Sequence, residues 1–146
     1  MTYSTTVFVE AAPDAVFDCL VIPEMMVRWM GDRALLQAVE GGRFEVDING
    51  VLIRGAFVEV ERPRRLVVSW GQLGNAALPP GASRVTFELV AERGGTTLTL
   101  THDGLPEEEA KRHGVGWPHF LGRLAVLGGG GDPGPDPFAD NAPGRA

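Results

Sequence analysis

His113-Gly114-Val115-Gly116-Trp117-Pro118-His119-Phe120-Leu121-Gly122-Arg123-Leu124 sets an aromatic pair and two leucines behind a glycine at helical spacing. Phe120, Leu121, Leu124 and Leu127 recur three and four residues apart, so one stripe of a helix is apolar and must pack against something. The same stretch carries what should interrupt it. Gly114 and Gly116 lower helix propensity and Pro118 donates no backbone hydrogen bond. The expectation is a break at Gly114 to Gly116, then a new helix with Pro118 in its first turn and Trp117 just outside it. Upstream, Pro106 followed by Glu107, Glu108 and Glu109 has the composition of a helix start, where acidic residues meet the dipole. Those carboxylates read as a solvated first turn rather than a catalytic pair. Downstream, residues 128–146 are rich in Gly and Pro and read as an irregular tail with Phe138 as its one large anchor, leaving residues 1–127 as the domain.

Working outward, residues 34–102 carry a period of two. Strands are expected near 34–39, 43–48, 51–61, 65–70, 83–92 and 96–102, joined at turn signals of which Asn49-Gly50 is the sharpest, since both residues tolerate the positive φ of a two-residue hairpin. Phe44, Val46 and Ile48 share one face against Glu45 and Asp47, and Val85, Phe87 and Leu89 repeat the pattern, so the sheet has a dry and a wet side. On the last strand Leu98, Leu100 and His102 share a face, which makes His102 an inward-facing polar group. Strand 51–61 resists orientation: Ile53 and Phe57 lie on one face, but Leu52, Val58 and Val60 lie on the other with Arg54. At the N-terminus, residues 3–10 read as a seventh strand, at the sheet edge. Two short helices follow, opened by Pro13-Asp14 and by Pro23-Glu24 and closed by Gly31-Asp32.

The chain of 146 residues is 44% hydrophobic and carries a net charge of −6, which suits one domain with one core. Nineteen acidic against thirteen basic residues, without a basic run, argue against nucleic acid as a partner. Cys19 is the only cysteine, no charged and apolar leader is recognisable, and no apolar run approaches the ~20 residues needed to span a bilayer, so a cytoplasmic location without membrane attachment is expected.

Several of these pieces together resemble a known family. Gly116, Trp117, Leu121 and Leu124 are similar to the Gly-Trp-x-x-x-Leu-x-x-Leu segment of the long C-terminal helix in SRPBCC (START-like) proteins of the family named for the activator of the heat-shock-protein ATPase. Pro13 to Phe17, Pro23-Glu24 with Arg28-Trp29, Gly41 to Phe44, and Gly55 through Arg62-Pro63 to Trp70 resemble that family's helix, hairpin and strand signatures, over about residues 3–127. The resemblance implies an α+β helix-grip fold: a curved seven-stranded antiparallel sheet around a long C-terminal helix, with two short helices after the first strand.

Such a fold implies a cavity between sheet and helix that binds a small hydrophobic or aromatic ligand. Its expected lining is Phe44, Val46, Phe57, Phe87 and Leu100 from the strands and Trp117, Phe120, Leu121 and Leu124 from the helix. The expected polar anchors are His102, the indole N–H groups of Trp29 and Trp70, and Arg54 on the condition that its strand faces inward. Each has a plainer reading: the apolar set as core, His102 as a satisfied strand-end histidine, Trp117 as a packing anchor. His113 and His119, six apart around a glycine, match no metal-helix motif, and neither a metal nor a cofactor is expected. No nucleophile elbow, phosphate loop or dinucleotide fingerprint occurs. Related SRPBCC members suggest two alternatives, a polyketide cyclase or aromatase with His102 as the first suspect for proton transfer, and a chaperone-activating interaction module. Whether the chain is an enzyme, and whether it pairs as a homodimer through a sheet edge or its tail, stays open at this point.

Overall fold

The computed structural model describes residues 1–136; Phe138 and the other tail residues past 136 lie outside the described residues. The alternating segments form seven strands: β1 (Tyr3–Val9), β2 (Arg33–Leu36), β3 (Arg43–Ile48), β4 (Val51–Glu61), β5 (Arg65–Trp70), β6 (Ser83–Glu92) and β7 (Gly95–Asp103). They make one antiparallel sheet in the order β1-β7-β6-β5-β4-β3-β2. Helices α1 (Pro13–Val21) and α2 (Pro23–Trp29) each begin on a proline, whose missing N–H is not needed in a first turn. The sheet wraps α3 (Glu107–Gly128), so the architecture is the expected helix grip.

α3 corrects the expected break. It runs unbroken through Gly114, Gly116 and Pro118 for 22 residues. A mid-helix proline costs about 3 kcal/mol. Pro118 sits on the exposed side, whereas Trp117, Phe120, Leu121 and Leu124 on the opposite side are all buried. At about 1.5–3 kcal/mol for each buried side chain, the tertiary term is larger than the local one.

β4 also acquires an explanation. Phe57 pairs with Val68 and Glu59 with Val67, so Val58 is an extra residue in a bulge. The bulge resets the alternation: Ile53 and Phe57 face the core before it, and Val60 packs against the core after it. Immediately upstream β4 passes very close to the β5 main chain. A Cβ on Gly55 would stand 1.9 Å from the Ser69 carbonyl oxygen. There the Ser69 hydroxyl, rather than a ladder carbonyl, accepts the Ala56 N–H at 2.9 Å. The Asn49-Gly50 turn has both residues at positive φ, 45° and 89°, as a two-residue hairpin requires.

Past α3 the chain folds back. The Arg123 guanidinium donates to the carbonyls of Arg28 and Trp29 at the end of α2 and to those of Pro133 and Gly134, at 2.8–3.3 Å. His119 Nε2 meets Asp136 Oδ1 at 2.7 Å. Arg123 thus ties α2, α3 and the segment beyond α3 together through one planar fork. Arg123→Ala is expected to destabilise the protein by about 2 kcal/mol, the scale of charged hydrogen bonds lost in a half-buried place. Arg123→Lys, with three donors and no planar fork, should recover little of it. Denaturant melts of the two variants check this, and full stability in the lysine variant would contradict it.

Candidate functional site

β5, β6, β7 and α3 each deliver a polar group to the interior between sheet and helix: Trp70, Ser83, His102, His113 and Trp117. All are buried, His102 and His113 at 0% and 1% exposure. Trp117 Nε1 donates to His102 Nδ1 at 3.1 Å, and His102 Nε2 lies 2.8 Å from Ser83 Oγ. An indole N–H can only donate, so His102 Nδ1 is bare and its proton sits on Nε2, pointing at Ser83. The Ser83 hydroxyl passes its own proton to the Trp70 carbonyl at 2.7 Å. The second histidine is held by the same logic. Trp70 Nε1 donates to His113 Nε2 at 3.1 Å, and His113 Nδ1–H donates to the Glu109 carbonyl at 2.7 Å. Both rings are therefore neutral, with both nitrogens engaged.

Electrostatics agrees with geometry. Burial, helped by His113, pushes the His102 imidazole down from 6.5 to about 2. Burial also lowers His113, opposed by its bond to the Glu109 carbonyl and by the Glu109 charge, while the Arg112 charge lowers it further. The folded pKa values lie below the unfolded ones, so the unfolded chain binds more protons in acid. The stability these rings contribute is complete above about pH 6.5 and falls as pH drops, by at most about 1.4 kcal/mol per pH unit for each histidine. Urea midpoints taken between about pH 7.5 and about pH 5.5 should fall with acid. A flat profile would mean that the rings are not held neutral.

Of the residues singled out from sequence, Phe44, Val46, Phe57, Trp70, Phe87, Leu100, Trp117, Phe120, Leu121 and Leu124 do come together, with Trp29, in one buried cluster, and His102 packs on it through the Trp70 and Trp117 rings. Phe44 meets Phe57 edge-on at 5.7 Å, and Trp70 and Trp117 lie 5.0 Å apart. They fill the space they were expected to line. The gap bounded by Met30, Ile48, Trp70, His113, Trp117 and Phe120 has no room for a water molecule.

The four expected polar anchors are all committed elsewhere. Trp29 Nε1 donates to the Cys19 carbonyl at 2.9 Å, and Trp70 and His102 belong to the network above. Arg54 faces outward, bonded to Asp47 Oδ1 at 2.8 Å and beside Glu45 at 3.7 Å, because inward Ile53 puts its neighbour on the wet face.

Open space lies outside this interior. A groove of about 580 Å³ runs between the β3–β4 hairpin (Gly50, Val51, Leu52), the loop after β5 (Gln72 to Ala77) and the first turns of α3 (Glu108, Glu109, Arg112). Here another expectation is corrected: Glu107 and Glu108 are solvated, but Glu109 is 3% exposed. Its Oε2 accepts from Arg112 at 3.2 Å and from Asn75 Nδ2 at 3.4 Å. Asn75 Nδ2 also donates to Gln72 Oε1 at 2.9 Å. The amide orientations are fixed, because Asn75 Oδ1 accepts the Ala77 N–H at 3.0 Å and so leaves Nδ2 as the donor. Among the described residues, Glu109 Oε1 and Gln72 Nε2 have no hydrogen-bond partner although both are buried. Sequence reading missed Gln72, Asn75 and Arg112. The available signal was helical: Glu109, His113 and Trp117 are four apart and share the buried stripe of a continuous α3.

No group of three metal-binding side chains occurs among the described residues, and no helix among them is long and apolar enough to cross a membrane. A family model described as Activator of Hsp90 ATPase homolog 1-like protein matches residues 10–129. Among solved structures, an AHSA1-like protein from Rhizobium etli is 37% identical, with 94% of this chain and 88% of that one covered and a TM-score of 0.71. CalU16 from Micromonospora echinospora is 29% identical over 95% of this chain and 79% of that one, with a TM-score of 0.76. The Aha1 dimer from Colwellia psychrerythraea is 18% identical over 90% and 99%, with a TM-score of 0.77, a likeness of fold. No curated protein matches the sequence.

Proposed function

The chain belongs to the Activator of Hsp90 ATPase homolog 1-like family, and we propose that it binds a small molecule with an apolar or aromatic body in this groove. The observation that carries this reading is a groove of about 580 Å³ in front of a closed interior. That volume is in the range of small-molecule sites, and three separate chain segments converge on it. Val51, Leu52, Leu73, Ala76 and Ala77 offer apolar surface, and Gln72, Asn75, Glu108, Glu109 and Arg112 add polar groups. A cyclase-like role through His102 is weakened by the occupation of both its ring nitrogens. Pairing of two copies has its support in the Colwellia protein being described as a dimer, and sedimentation of the purified chain tests it.

Native mass spectrometry against a panel of aromatic and apolar compounds tests the binding reading. Ala76 is exposed on the groove wall, so Ala76→Trp should fill the groove while leaving the melt unchanged. Complexes with the wild-type chain that disappear in this variant support the site. Complexes that survive in it place binding elsewhere, and a panel with no complexes removes the reading.

A further inference from the structure

Resting on that reading, we infer that the groove selects a neutral planar amide or lactam head group, with Glu109 Oε1 accepting its N–H and Gln72 Nε2 donating to its carbonyl. Buried polar atoms are nearly always paired, because leaving one unpaired costs its full desolvation. This groove has two such atoms among the described residues, one an acceptor and the other a donor. Both groups are tied to one residue, since Asn75 Nδ2 donates to Gln72 Oε1 and to Glu109 Oε2, the partnered atom of each. Their chemistry is assigned rather than ambiguous: Asn75 is oriented by the Ala77 N–H, and the Asn75 donor in turn fixes which end of Gln72 is oxygen.

The complement of one acceptor and one donor bridged through the same asparagine is a group with an N–H beside a C=O. A ketone satisfies Gln72 and leaves Glu109 Oε1 bare. A carboxylate does the same and adds a second anion beside the Glu109 carboxylate, whose other oxygen already holds Arg112. The apolar body would lie toward Val51, Leu52 and Leu73. The Glu109 backbone carbonyl holds His113, so the head-group site is built on the same rigid turn that closes the interior.

Titration calorimetry of the full chain with 2-naphthamide, 2-acetylnaphthalene and 2-naphthoate, which share one body, tests the assignment. The amide should bind at least about tenfold tighter than the ketone or the acid, the scale of one hydrogen bond to a charged group. Glu109→Gln keeps the shape and removes the charge, so it should narrow the gap between amide and acid. Gln72→Met should weaken amide and ketone alike, and melts of both variants control for folding. Equal affinities for all three compounds, or unchanged preferences in folded variants, would overturn the head-group assignment and leave the binding reading standing. Binding of none of the three also overturns the assignment; the binding reading falls with it only where the wider panel is empty too. A single water bridging Glu109 and Gln72 would give that pattern of indifference.

Discussion

Trp117→Ala is expected to leave the chain largely unfolded at physiological temperature. Trp117 is 2% exposed, packs on Trp70 at 5.0 Å and on Phe87 at 6.3 Å, and supplies the one proton that His102 Nδ1 accepts. Truncating a buried tryptophan to alanine costs about 3–5 kcal/mol through lost burial and the cavity left behind. Stranding a buried acceptor adds about 1–3 kcal/mol. Against a total stability of about 5–15 kcal/mol, the sum approaches the whole. Trp117→Phe separates the two contributions: it keeps most of the ring and removes the donor, so its loss should be smaller, at about 2–3 kcal/mol. Urea melts followed by circular dichroism read both. A loss below about 1 kcal/mol in the alanine variant would mean that the interior repacks easily, against a closed and interlocked core.

The second large effect belongs to a position with no side chain. Gly55→Ala brings a Cβ to within 1.9 Å of the Ser69 carbonyl oxygen and 2.5 Å of the carbonyl carbon. Both are backbone atoms of β5, so no rotamer change relieves the collision. β4 and β5 must move apart where the Ser69 hydroxyl holds the Ala56 N–H, and that bond is lost. Overpacking of this kind costs about 1–3 kcal/mol, and the upper end is expected because main chain rather than side chain must shift. The same strand carries Val51 and Leu52 on one wall of the groove, so any folded fraction should bind ligand poorly. A variant as stable as wild type would show that the sheet curvature does not depend on this contact.

Much of this architecture is legible in the residues because alternation is a local property. Phe44, Val46 and Ile48, or Val85, Phe87 and Leu89, declare their faces without reference to anything distant, and they are buried as read. β4 hides its phase because one inserted residue, Val58, shifts the register halfway along, and a bulge has no signature in a run of Val, Leu and Ile. α3 hides its continuity for a different reason. Gly114, Gly116 and Pro118 weigh against a helix locally, while what holds it, the burial of Trp117, Phe120, Leu121 and Leu124, is tertiary.

Glu109 is hidden for another reason: beside the solvated Glu107 and Glu108 it reads as one more first-turn carboxylate, whereas it lies on the buried stripe with His113 and Trp117. The polar interior was half legible. The alternation of its strand shows His102 facing inward, but its pairing with Trp117 and Ser83, like that of Trp70 with His113, joins residues far apart in sequence. Nothing in spacing along the chain specifies which donor meets which acceptor.

Amide chemical-shift mapping of the isotopically labelled chain with 2-naphthamide bears most directly on where this fold takes a ligand. Perturbations concentrated at Gly50 to Leu52, Gln72 to Ala77 and Glu108 to Arg112, with the signals of Phe87, Leu100, Leu121 and Leu124 undisturbed, are the expected result. Perturbations centred instead on those four buried residues would mean that the ligand opens the interior, and that the His102–Trp117 and His113–Trp70 pairs form a gate rather than a closed core.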